Sequence, residues 1–174
     1  YTLIRPAQGA NGPDNGDLNL TTPAAGNPLI SIVGAGQSST IIDANQLDRV
    51  FYVEVGRSAA LSRLTVRNGS PAANEAGGGI RNFGALVLDQ CTVSGNSTTG
   101  PGGAGGGIHS DVSLELIDTI VSENSAGGPG GGVRSNSGLS MLRSTFSGNT
   151  SIGDGGGIYS LGVLSVTEST ISRN

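Results

Sequence analysis

The sequence predicts a right-handed, single-stranded parallel β-helix with about six coils of about 25 residues each and three short parallel sheets. Three observations support this prediction. A glycine triplet recurs at a nearly fixed interval, an asparagine recurs at the same intervals, and apolar residues alternate with polar ones between them. Together these features indicate an all-β solenoid.

The glycine triplets set the spacing of the repeat. They begin at Gly77, Gly105, Gly130 and Gly155, so that the intervals are 28, 25 and 25 residues, and each triplet is followed by isoleucine or valine. The three additional residues of the first interval must fall in the Gly- and Pro-rich segment 97–104, which we expect to bulge outward. The triplets themselves indicate a tight corner that needs positive φ or close backbone approach.

An asparagine closes each coil at the same intervals. These residues are Asn96, Asn124, Asn149 and Asn174. Side-chain amides stacked at an inward turn can hydrogen-bond along the axis of the solenoid and so satisfy buried polar groups. We therefore interpret them as a structural ladder.

Apolar columns between these markers predict three short strands per coil. One column contains Leu86, Leu114, Leu139 and Leu164, and another contains Val93, Val121, Phe146 and Ile171. The alternation has a period of two, and the segments are too short for helices. Such strands must pair with those of the coils above and below, at about 4.8 Å per coil.

The chain is predicted to form one β-helix domain over residues 1–174. Residues 77–174 form the regular coils, residues 27–76 form less regular ones, and residues 1–26 form an irregular opening. Because there is no initiator methionine and the last residue closes a coil, we expect a fragment of a longer chain.

The composition excludes several functional classes. Nine arginines, no lysine and thirteen acidic residues give a net charge of −4, which argues against nucleic-acid binding. No apolar run is long enough to span a bilayer, so we expect no direct membrane insertion of this segment. The single cysteine, Cys91, rules out a disulfide within the chain.

The motifs resemble a known family. GGGI followed by FSGN at residues 146–149, with the variants VSGN, VSEN and ISRN, is similar to the GGAI and FxxN repeats of chlamydial polymorphic outer-membrane proteins and of many bacterial surface proteins. The resemblance implies a non-enzymatic structural or adhesive solenoid that is secreted to the cell surface. The expected partners are further coils, from the same chain or from other subunits, at the open ends of the β-helix.

An outward column on the first strand of each coil supplies an alternative function. It consists of Arg81, His109, Arg134 and Tyr159. Arginine, histidine and tyrosine spaced by about one strand can bind anionic sugars through charge and ring stacking. The alternative function is therefore a carbohydrate-binding or carbohydrate-active β-helix with surface glycans as partners, whereas the structural interpretation is an ordinary solvated sheet face.

Other candidate sites are weaker. Outward T-x-S pairs such as Thr92/Ser94 and Thr145/Ser147 are typical of ice-binding solenoids, but Ile120 interrupts the row. Cys91 aligns with small inward residues and lacks a nearby base, so a buried, inert thiol is expected. Because no sheet column stacks two carboxylates and no D-x-D spacing occurs, we predict no catalytic residues, no metal site and no cofactor.

Overall fold

The computed structural model describes residues 16–21 and 29–174. Every regular element in this part of the chain is a β-strand. None of its residues belongs to a helix with the length and hydropathy needed to cross a membrane.

Three main strands form each coil, in chain order, and two of the coils contain a further short strand. The first three coils contain β1 (Leu18–Leu20), β2 (Leu29–Val33), β3 (Ile41–Asp43), β4 (Phe51–Val53), β5 (Ser58–Ser62), β6 (Thr65–Arg67), β7 (Ile80–Asn82), β8 (Ala85–Asp89) and β9 (Thr92–Ser94). The next three contain β10 (Ile108–Ser110), β11 (Leu114–Ile117), β12 (Ile120–Ser122), β13 (Ser125–Ala126), β14 (Val133–Ser135), β15 (Leu139–Leu142), β16 (Thr145–Ser147), β17 (Thr150–Ser151), β18 (Ile158–Ser160), β19 (Leu164–Thr167) and β20 (Thr170–Ser172).

These strands stack into three parallel six-stranded sheets. The first sheet has the order β1-β4-β7-β10-β14-β18, the second β2-β5-β8-β11-β15-β19 and the third β3-β6-β9-β12-β16-β20. Every strand pairs with the equivalent strand of the neighbouring coil, which confirms the predicted parallel β-helix. A two-stranded parallel sheet of β13 and β17 extends the stack outside the three main sheets.

The pairing register confirms the repeat spacing. Ile80 pairs with Ile108, and Ile108 pairs with Val133, so the glycine triplets stay aligned despite their unequal intervals. Ser97 bridges to Ser125 and Gly105 stacks near Pro129, which leaves the three additional residues between them. The exposed tip of this loop is Pro101 and Gly102, whereas Thr98 and Ala104 are buried. The loop therefore protrudes only at its tip.

Inward apolar side chains fill the space between the sheets. Leu86, Leu114 and Leu139 are at most 1% exposed, and Val93, Val121 and Phe146 are fully buried. Because successive side chains of a strand point to opposite faces, the same alternation that predicted strands also separates this core from the outer faces.

Residues with positive φ, in the left-handed region of backbone conformation, turn the chain at two of the corners. At the second corner, between the second and third sheets, the positive-φ residues are Arg63, Gln90, Asp118, Arg143 and Glu168. At the third corner, between the third sheet and the next coil, they include Asn68, Gly95, Glu123, Gly148 and Arg173, and the first glycine of each triplet. Since most are not glycine, each coil accepts an unfavourable backbone conformation that the stacked neighbours hold in place.

The opening coils differ in detail from the sequence interpretation. Most of the predicted irregular opening lies outside the described residues, but β1 pairs in register with β4. Asn68 precedes the position of the recurring asparagines by one residue. Arg67 pairs with Ser94, so Asn68 aligns with Gly95, and Gly69 takes the position of Asn96.

Candidate functional site

The predicted outward column forms a continuous row on the first sheet. Arg81 pairs with His109, His109 with Arg134, and Arg134 with Tyr159. Their strand neighbours Ile108 and Val133 are fully buried in the core, which places the row on the opposite, outer face. We call these four residues the ridge.

The ridge is more enclosed than an open, solvated sheet face. The side chain of His109 is 7% exposed and that of Arg81 is 14% exposed. The preceding turn lies close to the strand, because a Cβ atom on Gly105 would be 2.9 Å from the Cα of His109. The glycine at this corner, with a φ of 66°, thus allows the chain to fold back toward the ridge.

A polar network links the ridge residues. The Arg81 guanidinium donates to Asp111 Oδ2 at 2.5 Å, and Asn136 Nδ2 donates to Asp111 Oδ1 at 2.5 Å. Arg134 Nε donates to Asn136 Oδ1 at 3.1 Å. His109 Nε2 lies 3.3 Å from Asn136 Nδ2 and 3.6 Å from Asp111 Oδ1. One carboxylate and one amide therefore join two arginines across three coils.

Sequence reasoning missed Asp111 and Asn136. They occupy the same position in consecutive coils, two residues after His109 and Arg134 respectively. A column of Asp and Asn beside a column of His and Arg was visible in the sequence, but both lie just past the strands, where the direction of a side chain does not follow from the period of two.

Aromatic rings flank the two arginines. The Arg81 guanidinium lies 3.9 Å from the centroid of the Phe83 ring, and that of Arg134 lies 5.8 Å from the Tyr159 ring. Tyr52, which pairs with Arg81 on the neighbouring strand, has its ring centroid 5.5 Å from that of Phe83. Cation–π contacts of this kind keep the guanidinium groups extended along the rings.

Burial and the two arginine charges set the electrostatics of the ridge. Burial, together with the nearby charges of Arg81 and Arg134, lowers the pKa of His109 to about 4 against the opposing effect of Asp111. Partial burial acts to raise the pKa of Asp111, but the Asn136 hydrogen bond and the charges of Arg81 and His109 bring it below its ordinary value. At neutral pH the ridge thus holds two arginines, a neutral imidazole and one carboxylate.

The recurring asparagines form a second feature, the asparagine ladder (Asn96, Asn124, Asn149 and Asn174). The Nδ2 of each of the first three donates to the Oδ1 of the next asparagine, at 2.9, 2.9 and 2.8 Å. The same Oδ1 atoms accept the backbone N–H of the preceding asparagine at 3.0, 3.1 and 3.0 Å. Every amide also donates to a backbone carbonyl, as Asn124 does to Val93 at 3.0 Å.

The third glycine of each triplet packs against this ladder. A Cβ on Gly107 would be 3.0 Å from Asn124 Cγ, and one on Gly132 would be 3.0 Å from Asn149 Cγ. The glycine triplet and the asparagine are distant in the motif but adjacent in space, at the third corner. This contact explains why the two recur together.

The remaining sequence candidates are placed in the walls of the solenoid. Cys91 is fully buried, burial raises the pKa of its thiol, and its sulfur contacts the carbonyls of Leu61 and Asp89. Its backbone N–H donates to Thr119 Oγ1, which begins a hydroxyl column that continues through Ser144 and Ser169. The T-x-S pairs align on the third sheet, where Gln37 hydrogen-bonds to Thr65 and Thr92.

The acidic residues near the beginning of the chain pair with arginines. Arg49 Nε lies 3.2 Å from Asp17 Oδ2 and 3.9 Å from Asp48 Oδ1, and its guanidinium also pairs with Glu75. Asp43 pairs with Arg67 at 2.7 Å, and Asp14 is outside the described residues. Over residues 16–21 and 29–174, no three His, Cys, Asp or Glu residues are arranged to hold a metal ion.

Fold and motif together define a β-solenoid repeat protein. Residues 143–161 match the Chlamydia polymorphic membrane protein repeat, a segment that contains Asn149, the triplet from Gly155 and Tyr159. A comparison with curated proteins and a comparison with solved structures each gave no significant match. The repeat and the solenoid fit a polymorphic-membrane-protein-like β-helix and a structural protein of the cell surface.

Proposed function

We propose that this chain is a non-enzymatic, extracellular structural and adhesive β-solenoid that stacks end to end with further coils. The matched repeat supports a surface role, and the solenoid supports a stiff scaffold whose loops and outer faces make contacts. The stacked coils can come from the same chain or from another subunit.

The sixth coil carries the stacking part of the proposal. Leu164, Val166 and Ile171 are 44, 45 and 49% exposed, whereas the equivalent residues of the fifth coil are at most 1% exposed. The strands β18, β19 and β20 each pair on one side only within the described residues. An apolar layer beside unpaired strand edges is complementary to another coil of the same kind.

Electron microscopy of this chain tests the stacking. We expect rods longer than one chain at high protein concentration, and Val166→Glu should shorten them because it places a charge in the stacking layer. Val163→Glu is the matched control, since Val163 is 78% exposed and precedes the same strand on the outer side. Single-length particles for all three proteins would contradict end-to-end stacking.

Surface location needs a separate test. Antibody against the solenoid should label intact cells that produce the full-length protein. Labelling that requires permeabilised cells would contradict the surface role, whatever the outcome of the stacking experiment.

A further inference from the structure

We propose that the ridge binds an acidic polysaccharide, a polymer whose sugars carry carboxylate or sulfate groups, laid along the axis of the solenoid. This proposal deepens the surface role and rests on it, because that role gives the ridge access to extracellular polymers. It assigns the adhesive contact to one face and one chemical class of partner.

Arg134 is the proposed anchor for the anion. Arg81 is already paired with Asp111, whereas Arg134 has no carboxylate within 4 Å in the described part of the chain and uses only its Nε in a hydrogen bond to Asn136. A guanidinium presents several donors in one plane, which suits a carboxylate or sulfate. The side chain is partly exposed, so its outer edge can be reached from solvent.

The guanidinium of Arg81 extends this positive region along the ridge. Its Nη1 is buried and has no hydrogen-bond partner in the described residues. Burial weakens the screening of these charges by water, so an anion bound over Arg134 is attracted by two arginines against the single negative charge of Asp111. After burial, the charges of Arg81 and Arg134 also contribute to the lowered pKa of His109.

Aromatic rings at both ends of the ridge favour a sugar polymer over a simple anion. Tyr159 lies beside Arg134, and Tyr52 and Phe83 lie beside Arg81. Tyr52 and Tyr159 are four strands apart in register, a span of about 19 Å along the axis. Sugar rings can pack against these apolar faces while their acidic groups meet the arginines between them.

Titration calorimetry of the full chain with four polymers tests the proposal. Polygalacturonate supplies carboxylates, dextran sulfate supplies sulfates, neutral dextran supplies sugars without charge, and polyaspartate supplies charge without sugars. We expect binding of at least one acidic polysaccharide and weaker or undetectable binding of the other two polymers. Which acidic polymer binds more tightly identifies the anionic group.

Variants separate the ridge from general electrostatics. Arg134→Gln and Tyr159→Ala should each raise the Kd for the acidic polysaccharide by about 10-fold or more. Arg143→Gln removes the same charge from an exposed arginine at the second corner, which pairs with Asp118, and should change the Kd by less than about 2-fold. Equal losses for Arg134→Gln and Arg143→Gln would overturn the proposal, as would polyaspartate binding as tight as that of the acidic polysaccharides.

The single histidine provides a direct readout of the ridge. Binding of the acidic polymer should raise the pKa of His109, measured by NMR of its imidazole, because an anion favours the protonated ring. A folded wild-type chain that binds no acidic polymer, or binds without a shift at His109, overturns the ridge proposal. The surface role is tested separately by the antibody labelling of intact cells, so its failure can be distinguished from that of the ridge proposal.

Discussion

The third corner of the solenoid is built in two ways. In the regular coils the asparagine ladder closes it with neutral amides, and each amide bonds to the equivalent residue of the next coil. In the opening coils Gly69 occupies the ladder position, and the nearby corner contains the ion cluster of Arg49 with Asp17, Asp48 and Glu75. The ladder amides are hydrogen-bonded to one another, whereas in the ion cluster Asp17 Oδ1 is buried without a hydrogen-bond partner among the described residues.

The two arrangements differ in what they demand of the sequence and of the solvent. The ladder needs one asparagine per coil, so it repeats and does not titrate. The ion cluster needs partners from separate parts of the chain, and burial raises the pKa of Asp17 to about 6 despite the charge of Arg49. A repeat motif is therefore visible only where the corner is neutral and self-complementary.

Breaking the ladder in its middle should have the largest effect. Asn124→Ala removes a side chain that accepts from the backbone and the amide of Asn96 and donates to Val93 and Asn149. Because the groups left without a hydrogen-bond partner are buried, we expect a loss of about 3 kcal/mol or more in the free energy of unfolding, measured with urea. Asn136→Ala, at a half-buried position, should cost less than about 1 kcal/mol; equal losses would refute the distinction.

Filling the space beside the ladder should have the next largest effect. In Gly107→Ala the new Cβ would lie 2.6 Å from the Gly132 carbonyl oxygen and 3.0 Å from Asn124 Cγ. We expect a destabilisation of about 1–3 kcal/mol by thermal unfolding. Gly138→Ala is the matched control, because no atom lies within 4 Å of its Cβ, and a comparable loss there would argue against the packing explanation.

The ion cluster should make the stability of the opening coils fall as the pH rises. The folded pKa of Asp17, about 6, lies above the ordinary value of 3.8, so the folded state binds more protons between these values and loses stability as pH rises through them. Asp17→Asn should therefore stabilise the chain by about 1–2 kcal/mol at pH 7, with the gain disappearing near pH 4. Urea unfolding at both pH values checks this, and a destabilised variant at pH 7 would contradict it.

Within the regular coils, His109 should be a smaller source of pH dependence. Its folded pKa of about 4 lies below the usual 6.5, so the unfolded state binds more protons and stability falls on acidification from pH 6.5 toward 4. We expect His109→Gln to flatten this fall by about 1 kcal/mol. A wild-type and variant pair with parallel pH profiles would show that the imidazole is not desolvated.

Most of the fold could be predicted from the sequence, because the intervals of the repeat determine which strands of a solenoid pair and in which register. Columns at intervals of 28, 25 and 25 residues placed Ile108 between Ile80 and Val133 without any knowledge of tertiary contacts. The ridge followed from the same columns and the alternation of strand side chains. The residues that form the ridge could therefore be predicted, whereas the burial of their side chains could not.

The burial of the ridge side chains and the contacts at the corners could not be predicted from the sequence. His109 was expected on a solvated face, but its side chain contacts Asn136, lies 3.6 Å from Asp111 and is only 7% exposed. Asp111 and Asn136 follow strands where the period of two no longer fixes direction, and the partners of Arg49 come from coils without a regular repeat. The asparagine ladder was expected from stacking, but its contact with the third glycine depends on closure of the coil.

Hydrogen exchange at the backbone amide of Asn96 tests the central claim most directly. In the wild type this N–H donates to Asn124 Oδ1 inside the corner, so we expect protection close to that of the core strands. In Asn124→Ala the amide of Asn96 should lose most of that protection while Val93, in the adjacent strand, keeps its own. Unchanged protection of Asn96 in a folded Asn124→Ala chain would contradict the account that stacked asparagines hold the coils together.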